Sequence, residues 1–238
     1  MTERLFLANP KLASASATVL ASGPDGIILD RTVFHARSGG QPGDTGILRW
    51  AEGETRIADT IKGEGEAIRH LLSEPARLPP EGSVVEATLD WERRYRLMRM
   101  HTSMHLVCIL LPGAAVTGGA VGVDRSRLDF DLPDPPGKDT LESGLNALIA
   151  ADHPVSSESV DEAVLDADPG LVRTLSVKPP HGAGRIRLVR IGAGPRPIDL
   201  QPCGGTHVAR TGEIGPMRVV KIESKGRQNR RIVIAPAS

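Results

Sequence analysis

Two pairs of metal-binding side chains, far apart in the sequence, could carry out chemistry together. The first pair is His101 and His105, and the second pair is Cys203 and His207. Residues four positions apart share one face of a helix, so both histidines of the first pair can reach one ion. Imidazole nitrogen and thiolate sulfur are ligands that Zn²⁺ prefers, and four of them complete a tetrahedral shell. The residue types and their spacing therefore predict a zinc site assembled from two distant segments.

Each pair alone would be weak evidence, because His-x-x-x-His also occurs on ordinary amphipathic helices. The combination is stronger because the chain has two cysteines, Cys108 and Cys203, and one of them belongs to the second pair. Cys108 lies in an apolar run, where the role of a small buried hydrophobic residue is expected. Gly204 and Gly205 stand between the ligands of the second pair and favour a loop. A zinc peptidase would need a glutamate after the first histidine, and Thr102 stands there instead.

The composition limits the classes of function. The 29 lysines and arginines balance the 29 aspartates and glutamates, so nucleic acid could bind only through local basic patches. Two cysteines do not make a disulfide framework, and a reducing compartment is expected. The N-terminus lacks the features of a signal peptide, and no apolar run is long enough to span a bilayer. We therefore expect a soluble, cytoplasmic protein without a membrane partner.

The pattern of apolar and turn residues predicts an α+β fold. Short apolar and β-branched runs separated by Gly and Pro predict a small barrel-like domain over residues 1–90. The stretch Trp91–Leu111 has no Gly or Pro and is predicted to be a helix that carries the first histidine pair. Further helices are expected at Thr140–Ala151 and Asp161–Leu165, followed by strands. We therefore expect a second domain, residues 91–238, with two α/β layers and an antiparallel sheet.

Several motifs of the chain resemble one known family. The two ligand segments are similar to the editing domain of alanyl-tRNA synthetase, and the longer motifs resemble the free-standing AlaX proteins in their medium-length form. The motifs that carry this resemblance are Ser38–Gly46, His101–His105, Arg127–Asp131, Asp199–Val208, Thr211–Gly215 and Ile222–Arg231. They occur in the order that the family has and cover nearly the whole chain.

The resemblance implies a function in translation fidelity. AlaX proteins hydrolyse mischarged tRNA(Ala) in trans and without ATP, chiefly Ser-tRNA(Ala), and some act on Gly-tRNA(Ala). The bond that breaks is the ester between the amino acid and the 3′-terminal ribose. A synthetase pocket for a small side chain cannot strongly reject one that merely adds a hydroxyl, so a second, hydrolytic site is needed. The resemblance implies Zn²⁺ as the cofactor and the acceptor end of tRNA(Ala) as the partner.

Two roles for the zinc are open at this point. With three protein ligands and one open position, the ion could lower the pKa of a bound water and deliver hydroxide. With four protein ligands the site would be closed, and it would hold the helix and the loop around the 3′-terminal adenosine. We expect a site in which one ligand, such as His207, is weak or displaced by solvent.

The residue types and the resemblance together give candidate roles to three groups of residues. The candidates for catalysis are Thr102, Ser103, Thr117, Arg127 and Asp129. The candidates for substrate selection are Gly39, Gly40, Gln41, Asp44, Gly118 and Gly119, of which the last two belong to an expected turn. The candidates for tRNA binding are Lys225, Arg227, Arg230 and Arg231, because such side chains are suited to phosphate contacts.

Each assignment has a plainer alternative. Thr102 and Ser103 could be short polar residues on a partly exposed helix face, and Arg127 and Asp129 could form an ordinary ion pair. The basic residues near the C-terminus could be a solvated surface. For the whole protein, the alternatives are a zinc-dependent esterase or amidase for small molecules and a non-catalytic, zinc-stabilised RNA-binding protein. The sequence does not determine the oligomeric state.

Overall fold

The computed structural model describes residues 1–73, 77–164, 172 and 184–237. In this part of the chain strands predominate and helices are few. The chain divides into two compact units, Met1–Leu97 (unit 1) and Met98–Ser238 (unit 2). The predicted domain limits, residues 1–90 and 91–238, stay a prediction. Among the described helices, none has the length and apolar character that a membrane crossing requires.

Unit 1 is built around a closed β-barrel. Its elements are β1 (Glu3–Arg4), α1 (Leu5–Ala8), β2 (Ser14–Gly23), β3 (Gly26–Leu29), β4 (Arg31–Thr32), β5 (Gly46–Trp50), β6 (Gly53–Lys62), β7 (Ile68–Leu72) and β8 (Val84–Leu89). Six strands close the barrel in the order β2-β3-β7-β6-β5-β8, and all neighbours in it are antiparallel. The predicted barrel is therefore confirmed.

The strands of the barrel alternate between residues that fill its interior and residues that face outward. In β6, Thr55 and Ile57 are buried, whereas Glu54, Arg56 and Lys62 are exposed. A closed barrel leaves no strand edge unpaired, so this small unit gains every ladder hydrogen bond while it fills its interior. The sequence analysis did not identify β6 or β7, although β6 shows the period-two alternation typical of a half-buried strand.

The helix that carries the first histidine pair is α2 (Trp91–Leu110). The carboxylate of Asp90 accepts a hydrogen bond from the backbone N–H of Arg93, at 3.1 Å, and so caps the first turn. Pro112 follows shortly after the last turn, as expected for a helix end. The prediction of this helix is confirmed to within one residue. Every residue from 101 to 108 is buried, so the ligand-bearing turns form part of a core.

The described residues of unit 2 form two antiparallel sheets. Its further elements are β9 (Ala115–Ala120), β10 (Ser126–Asp131), α3 (Lys138–Ala150), β11 (Val155–Asp161), β12 (Arg185–Ile191), β13 (Asp199–Pro202), a 3₁₀ helix (Thr211–Ile214), β14 (Met217–Ser224) and β15 (Asn229–Pro236). The strand orders are β14-β15-β10-β9 and β11-β12-β13. The predicted antiparallel sheet is confirmed, whereas the two-layer arrangement stays a prediction.

Helix α3 is attached to the edge strand β14 by side-chain hydrogen bonds. The amide group of Asn146 bonds both the carbonyl and the N–H of Met217, at 2.7 and 2.9 Å. The carboxylate of Glu142 accepts from the N–H of Val219 at 2.8 Å. These bonds satisfy backbone groups that an edge strand would otherwise leave open. The helix predicted over Thr140–Ala151 is thereby confirmed. A further helix was expected at Asp161–Leu165. Asp161 is instead the last residue of β11, and Leu165 lies outside the described residues.

Candidate metal centre

The four predicted metal ligands meet at one place in unit 2. One ligand atom from each side chain lies within 4.8 Å of every other in the group His101, His105, Cys203 and His207. The first two come from successive turns of α2, and the last two come from the loop that follows β13. The three histidines are buried and at most 6% exposed. Two segments that are distant in the sequence thus form one enclosed donor set.

The distances between donor atoms fit a tetrahedral metal site. The Sγ atom of Cys203 lies 3.5 Å from Nε2 of His101 and 3.3 Å from Nε2 of His207. The usual bond lengths from zinc to sulfur and to nitrogen place the two donors about 3.5 Å apart in a tetrahedral shell. One thiolate and three imidazoles form a donor set that is typical of zinc.

The ring of His105 is oriented by a carboxylate, which an amide in turn holds in place. Its Nδ1 lies 3.1 Å from Oδ2 of Asp199 and 3.0 Å from Nε2 of Gln201. The amide of Gln201 also donates to the same carboxylate oxygen at 2.8 Å, which holds that oxygen in place. A carboxylate on the far nitrogen of a histidine fixes its orientation and makes it a better metal ligand. Nε2 of His105 is thereby left to face the other three ligands.

A buried threonine orients His207 in a similar way. The hydroxyl of Thr102 donates to the carbonyl of Met98 at 2.9 Å and lies 3.1 Å from Nδ1 of His207. Since that hydroxyl proton is already used, Nδ1–H of His207 is the donor in the second bond, and Nε2 is directed at Cys203. Ser103 donates its hydroxyl to the carbonyl of Met100 at 2.8 Å. Thr102 and Ser103 have 0% exposure, which favours support of the helix and the ligands over substrate contact; their catalytic roles stay predictions.

The electrostatics of the cluster favour a thiolate and a neutral imidazole. Burial disfavours the thiolate, but its interactions with the neighbouring side chains of His101 and His207 hold the pKa of Cys203 well below its usual range. Burial lowers the pKa of His207 to about 3, so its ring stays neutral. Burial also acts against protonation of His105, but the bond to Asp199 and the nearby Cys203 raise its pKa to about 9. A metal ion would therefore have to displace a proton from His105.

The expected turn at Thr117 is wrong, because Thr117, Gly118 and Gly119 lie within strand β9. A Cβ atom on Gly119 would lie 3.3 Å from the methyl group of Met104 in α2, and one on Gly118 would lie 3.3 Å from Oδ2 of Asp129. The two glycines therefore allow close packing on both faces of the strand. The hydroxyl of Thr117 accepts a hydrogen bond from Nδ2 of Asn229 at 3.0 Å.

The ion pair of Arg127 and Asp129 exists, and it includes a third residue. Nη1 of Arg127 donates to Asp129 at 2.9 Å, and Arg231 on the neighbouring strand donates from Nε and Nη2 at 2.7 and 2.9 Å. The bonds from Arg231 hold the pKa of Asp129 below its usual range. Asp129 is therefore an ionised acceptor at neutral pH and has no proton to give as a general acid.

These charged residues lie on the face of the sheet opposite to the ligand-bearing helix. Side chains alternate along β10, and Leu128 is buried while Arg127 and Asp129 are not. Gly119 pairs with Leu128, and the contact between Gly119 and Met104 shows that α2 packs against this buried face. The structure thus does not bring Arg127 and Asp129 to the metal ligands, and their catalytic role stays a prediction.

Comparisons with known proteins agree with this site. Residues 186–233 match the family described as the threonyl and alanyl tRNA synthetase second additional domain, and residues 3–93 match tRNA synthetases class II (A). The alanyl-tRNA editing protein AlaX-M of Methanosarcina mazei is 35% identical over 98% of this chain and 95% of its own. That of Methanosarcina barkeri is 34% identical over 98% of both chains.

The chain belongs to the AlaX-M family of alanyl-tRNA editing proteins. The resemblance inferred from the motifs is thereby confirmed. The alanine–tRNA ligase of Pyrobaculum arsenaticum is also similar, with 36% identity over 93% of this chain. The chain spans 25% of the length of that ligase.

The basic residues predicted to bind tRNA do not form one patch in this AlaX-M chain. Lys225 and Arg227 lie exposed in the hairpin between β14 and β15. The side chain of Arg230 bonds backbone carbonyls, among them that of Pro133 at 2.5 Å. Arg231 points to the other face of the sheet, where it is held by Asp129. Their role in tRNA binding stays a prediction, and the structure separates them into two surfaces.

The glycine-rich motif of the AlaX-M family forms a tight turn in unit 1. Gly39 and Gly40 both have positive φ, +57° and +79°, which explains why glycine stands at these two positions. A Cβ atom on Gly43 would lie 2.0 Å from the carbonyl oxygen of Thr60, so only glycine fits there. Gln41 and Asp44 are at most 1% exposed. The role of this motif in substrate selection stays a prediction.

Asp44 forms a buried ion pair that the sequence analysis did not find. Nε of Arg94 donates to both carboxylate oxygens at 3.1 and 2.9 Å, and Nη2 of Arg94 also bonds Asp44. Arg94 further donates to the carbonyl of Val33 at 2.7 Å, and the N–H of His35 donates to Asp44 at 2.6 Å. The role of Arg94 was missed because arginines are seldom fully buried.

Residues behind the metal ligands were also missed as candidates. Asp199 and Gln201 stand two residues apart in β13, so they share one face of the strand and both reach His105. Arg187 donates to the carbonyls of Cys203 and Gly205 at 2.7 and 2.9 Å and so holds the ligand loop. The spacing of Asp199 and Gln201 just before Cys203 was a usable signal, because ligand histidines commonly bond carboxylates.

Substitution of Asp199 by Asn is expected to weaken metal binding. Asn keeps the size of the side chain but removes the charge that holds the Nδ1–H of His105, so affinity for Zn²⁺ should fall about 10- to 100-fold. Competition with a chromophoric chelator measures this. Asp152→Asn, at an exposed ion pair with Arg210 in the same unit, is the matched control and should leave the affinity unchanged. Equal affinities for the two variants would contradict the assigned role.

Proposed function

We propose that this protein is a trans-editing deacylase that hydrolyses the ester bond of mischarged tRNA(Ala). The favoured substrate is Ser-tRNA(Ala), and Gly-tRNA(Ala) is the second candidate. The observation that carries the proposal is the buried cluster of one cysteine and three histidines, in a chain that aligns over nearly its whole length with named editing proteins. The reaction produces the free amino acid and a tRNA with an intact 3′-terminal ribose.

We propose Zn²⁺ as the ion that His101, His105, Cys203 and His207 hold. The donor set and the distances between the donors support this choice. The hydrogen bond from His207 to Thr102 supports His207 as a full ligand and therefore favours the closed form of the site over the earlier expectation of a weak ligand. Zn²⁺ in such a site would supply positive charge and fix the helix and the loop relative to each other.

Ester hydrolysis also requires a positioned water molecule and stabilisation of the developing oxyanion. The chain's own groups for positioning the aminoacyl end include Thr117, whose hydroxyl is held by Asn229 and keeps its own proton available for donation. Oδ1 of Asn229 is buried and has no hydrogen-bond partner among the described residues, so it is an acceptor that a substrate hydroxyl or ammonium could use.

The glycine-rich motif is proposed to act in substrate selection through its shape. Its polar side chains Gln41 and Asp44 are buried within unit 1, so the exposed backbone around Gly39 and Gly40 is the part that a substrate could meet. Gly118 and Gly119 are also proposed to act in substrate selection through backbone shape. Since they have no side chain, they permit close approach of neighbouring groups.

The test is a panel of substrates offered to the purified, zinc-loaded protein. We expect rapid loss of serine from Ser-tRNA(Ala), slower loss of alanine from Ala-tRNA(Ala), and slow hydrolysis of a serine ester that lacks the tRNA. Gly-tRNA(Ala) in the same panel determines whether glycine is also removed. Equal rates with and without the tRNA body would favour a small-molecule esterase. Binding of tRNA without hydrolysis of any panel member would favour a non-catalytic RNA-binding protein.

A further inference from the structure

The four-stranded sheet of unit 2 carries a groove on the face opposite to the ligand-bearing helix, here called the outer face. The groove has a volume of about 440 Å³. Its walls come from all four strands and the loop between β9 and β10. Its lining contains one carboxylate, that of Glu223, and four cationic side chains. The cationic side chains are those of Arg125, Arg127, Lys221 and Arg231. The groove therefore has an excess of positive charge in a protein whose overall charge is zero.

Two of the arginines are held in fixed positions by Asp129. Arg231 uses Nε and Nη2 on the carboxylate, and Arg127 uses Nη1. A guanidinium has five N–H donors, so each arginine keeps further donors for a ligand. Because Asp129 has already ordered both side chains, binding an anion would cost less side-chain entropy than at two free surface arginines. Arg127, Asp129 and Arg231 together form a preorganised anion fork.

The other two cations remain accessible. Arg125 is exposed, and its guanidinium has no partner among the described residues. Lys221 bonds Glu223 at 2.6 Å, yet its side chain is 51% exposed and can turn to a second acceptor. The remaining lining consists of small or aliphatic residues, including Ser126, Val121 and Val233, and contains no aromatic ring. The groove thus offers charge and donors without a platform on which a base could stack.

We propose that this groove docks a backbone phosphate of the tRNA substrate. The inference rests on the proposed function and deepens it, because it assigns the surface that holds the RNA. Paired guanidinium groups match the two oxygens of a phosphate, and contacts of this kind position the nucleic acid without reading its sequence. Lys225 in the adjoining hairpin lies 3.8 Å from Glu223 of the groove lining, whereas Arg230 is directed to the other face.

The experiment measures binding of uncharged tRNA(Ala) to the full chain by fluorescence anisotropy over a series of salt concentrations. The test variant is R125Q/K221Q, which leaves the fork itself intact. The control is R196Q/K138Q, which removes one arginine and one lysine from exposed positions of the same unit outside the groove. We expect about tenfold weaker binding for the test variant and a salt dependence shallower by about one to two ions. The control should stay within about twofold of the wild type.

The outcomes separate this inference from the proposed function, because deacylation of Ser-tRNA(Ala) is measured in parallel. If the test variant binds like the control while the wild type deacylates, the groove is not the docking surface and the proposed function stands. Equal weakening in both variants shows a general charge effect and also overturns the inference. If binding depends on the groove but no substrate is hydrolysed, the groove stands and the deacylase proposal fails. A wild type that binds no tRNA overturns both.

Discussion

Replacement of Cys203 by Ala is expected to remove the metal and the deacylase activity together. The thiolate is the anionic member of the donor set, and its sulfur lies 3.3 to 3.5 Å from two histidine nitrogens. Loss of a partner that merely supports a ligand costs about 10- to 100-fold in affinity or activity, so loss of the ligand itself should cost at least about 100-fold. Metal content by elemental analysis and hydrolysis of Ser-tRNA(Ala) are the two measurements.

Cys108→Ala is the matched control, because it removes the other cysteine, which is buried in α2 next to the site but belongs to no ligand pair. It should keep a full equivalent of metal. Cobalt substitution adds a spectroscopic test, since a thiolate–cobalt absorption band should appear in the wild type and the control and be absent from Cys203→Ala. Full metal content in Cys203→Ala would exclude the four-residue site.

The second large effect is expected at the buried ion pair of Arg94 and Asp44. Their side chains are 0% and 1% exposed. Arg94→Met would leave the carboxylate of Asp44 buried without its counter-charge and the carbonyl of Val33 without a donor. Breaking a buried pair in this way costs about 3–5 kcal/mol of folding free energy. We therefore expect a large loss of stability in unit 1.

Urea unfolding followed by tryptophan fluorescence measures this effect in the intact protein. The chain has two tryptophans, Trp50 and Trp91, and both lie in unit 1, so the signal reports on that unit. Arg49→Met is the control, because Arg49 forms a pair with Glu54 in which both side chains are more than half exposed, at 55% and 53%. Such pairs contribute about 0–1 kcal/mol. A similar midpoint for the two variants would show that the buried pair does not stabilise the barrel.

The double variant D44N/R94M tests whether the loss of stability comes from a carboxylate that is left buried without its counter-charge. Without a charge at position 44 there is no unpaired carboxylate, so the double variant should be more stable than the sum of the two single losses predicts. Strict additivity would mean that the two side chains act independently.

The sequence predicts which four side chains meet at the candidate metal centre, because a ligand pair on one helix turn and a Cys–His pair around glycines are local patterns. It predicts the barrel because turn residues divide short apolar runs. Arg187 could not be selected in this way, since its bonds to the ligand loop depend on which strand lies beside β13. The plainer alternative for Thr102 and Ser103, that they lie on a partly exposed helix face, is wrong, because α2 is buried on all sides where they lie. The amphipathic pattern that would mark an exposed face is absent there.

The other differences between the sequence-based expectations and the structure concern two glycines and a buried ion pair. Gly118 and Gly119 suggested a turn, yet they lie in a strand because Met104 and Asp129 approach its two faces closely. Asp44, between Gly43 and Thr45, was expected in a loop open to substrate, and its partner Arg94 is 50 positions away. No local pattern reveals a buried ion pair that joins two segments so far apart.

The separation of the ligands along the chain has a consequence for the unfolded protein. His101 and Cys203 are 102 positions apart, so an ion bound by both closes a very long loop. In the chain-entropy description, a cross-link across roughly 100 residues lowers the entropy of the unfolded ensemble by the equivalent of about 4–5 kcal/mol. Because that term grows only with the logarithm of loop length, insertions between the two ligand segments would change it little. The ion would thus act as a cross-link whose contribution to stability changes little when the length of the enclosed chain varies.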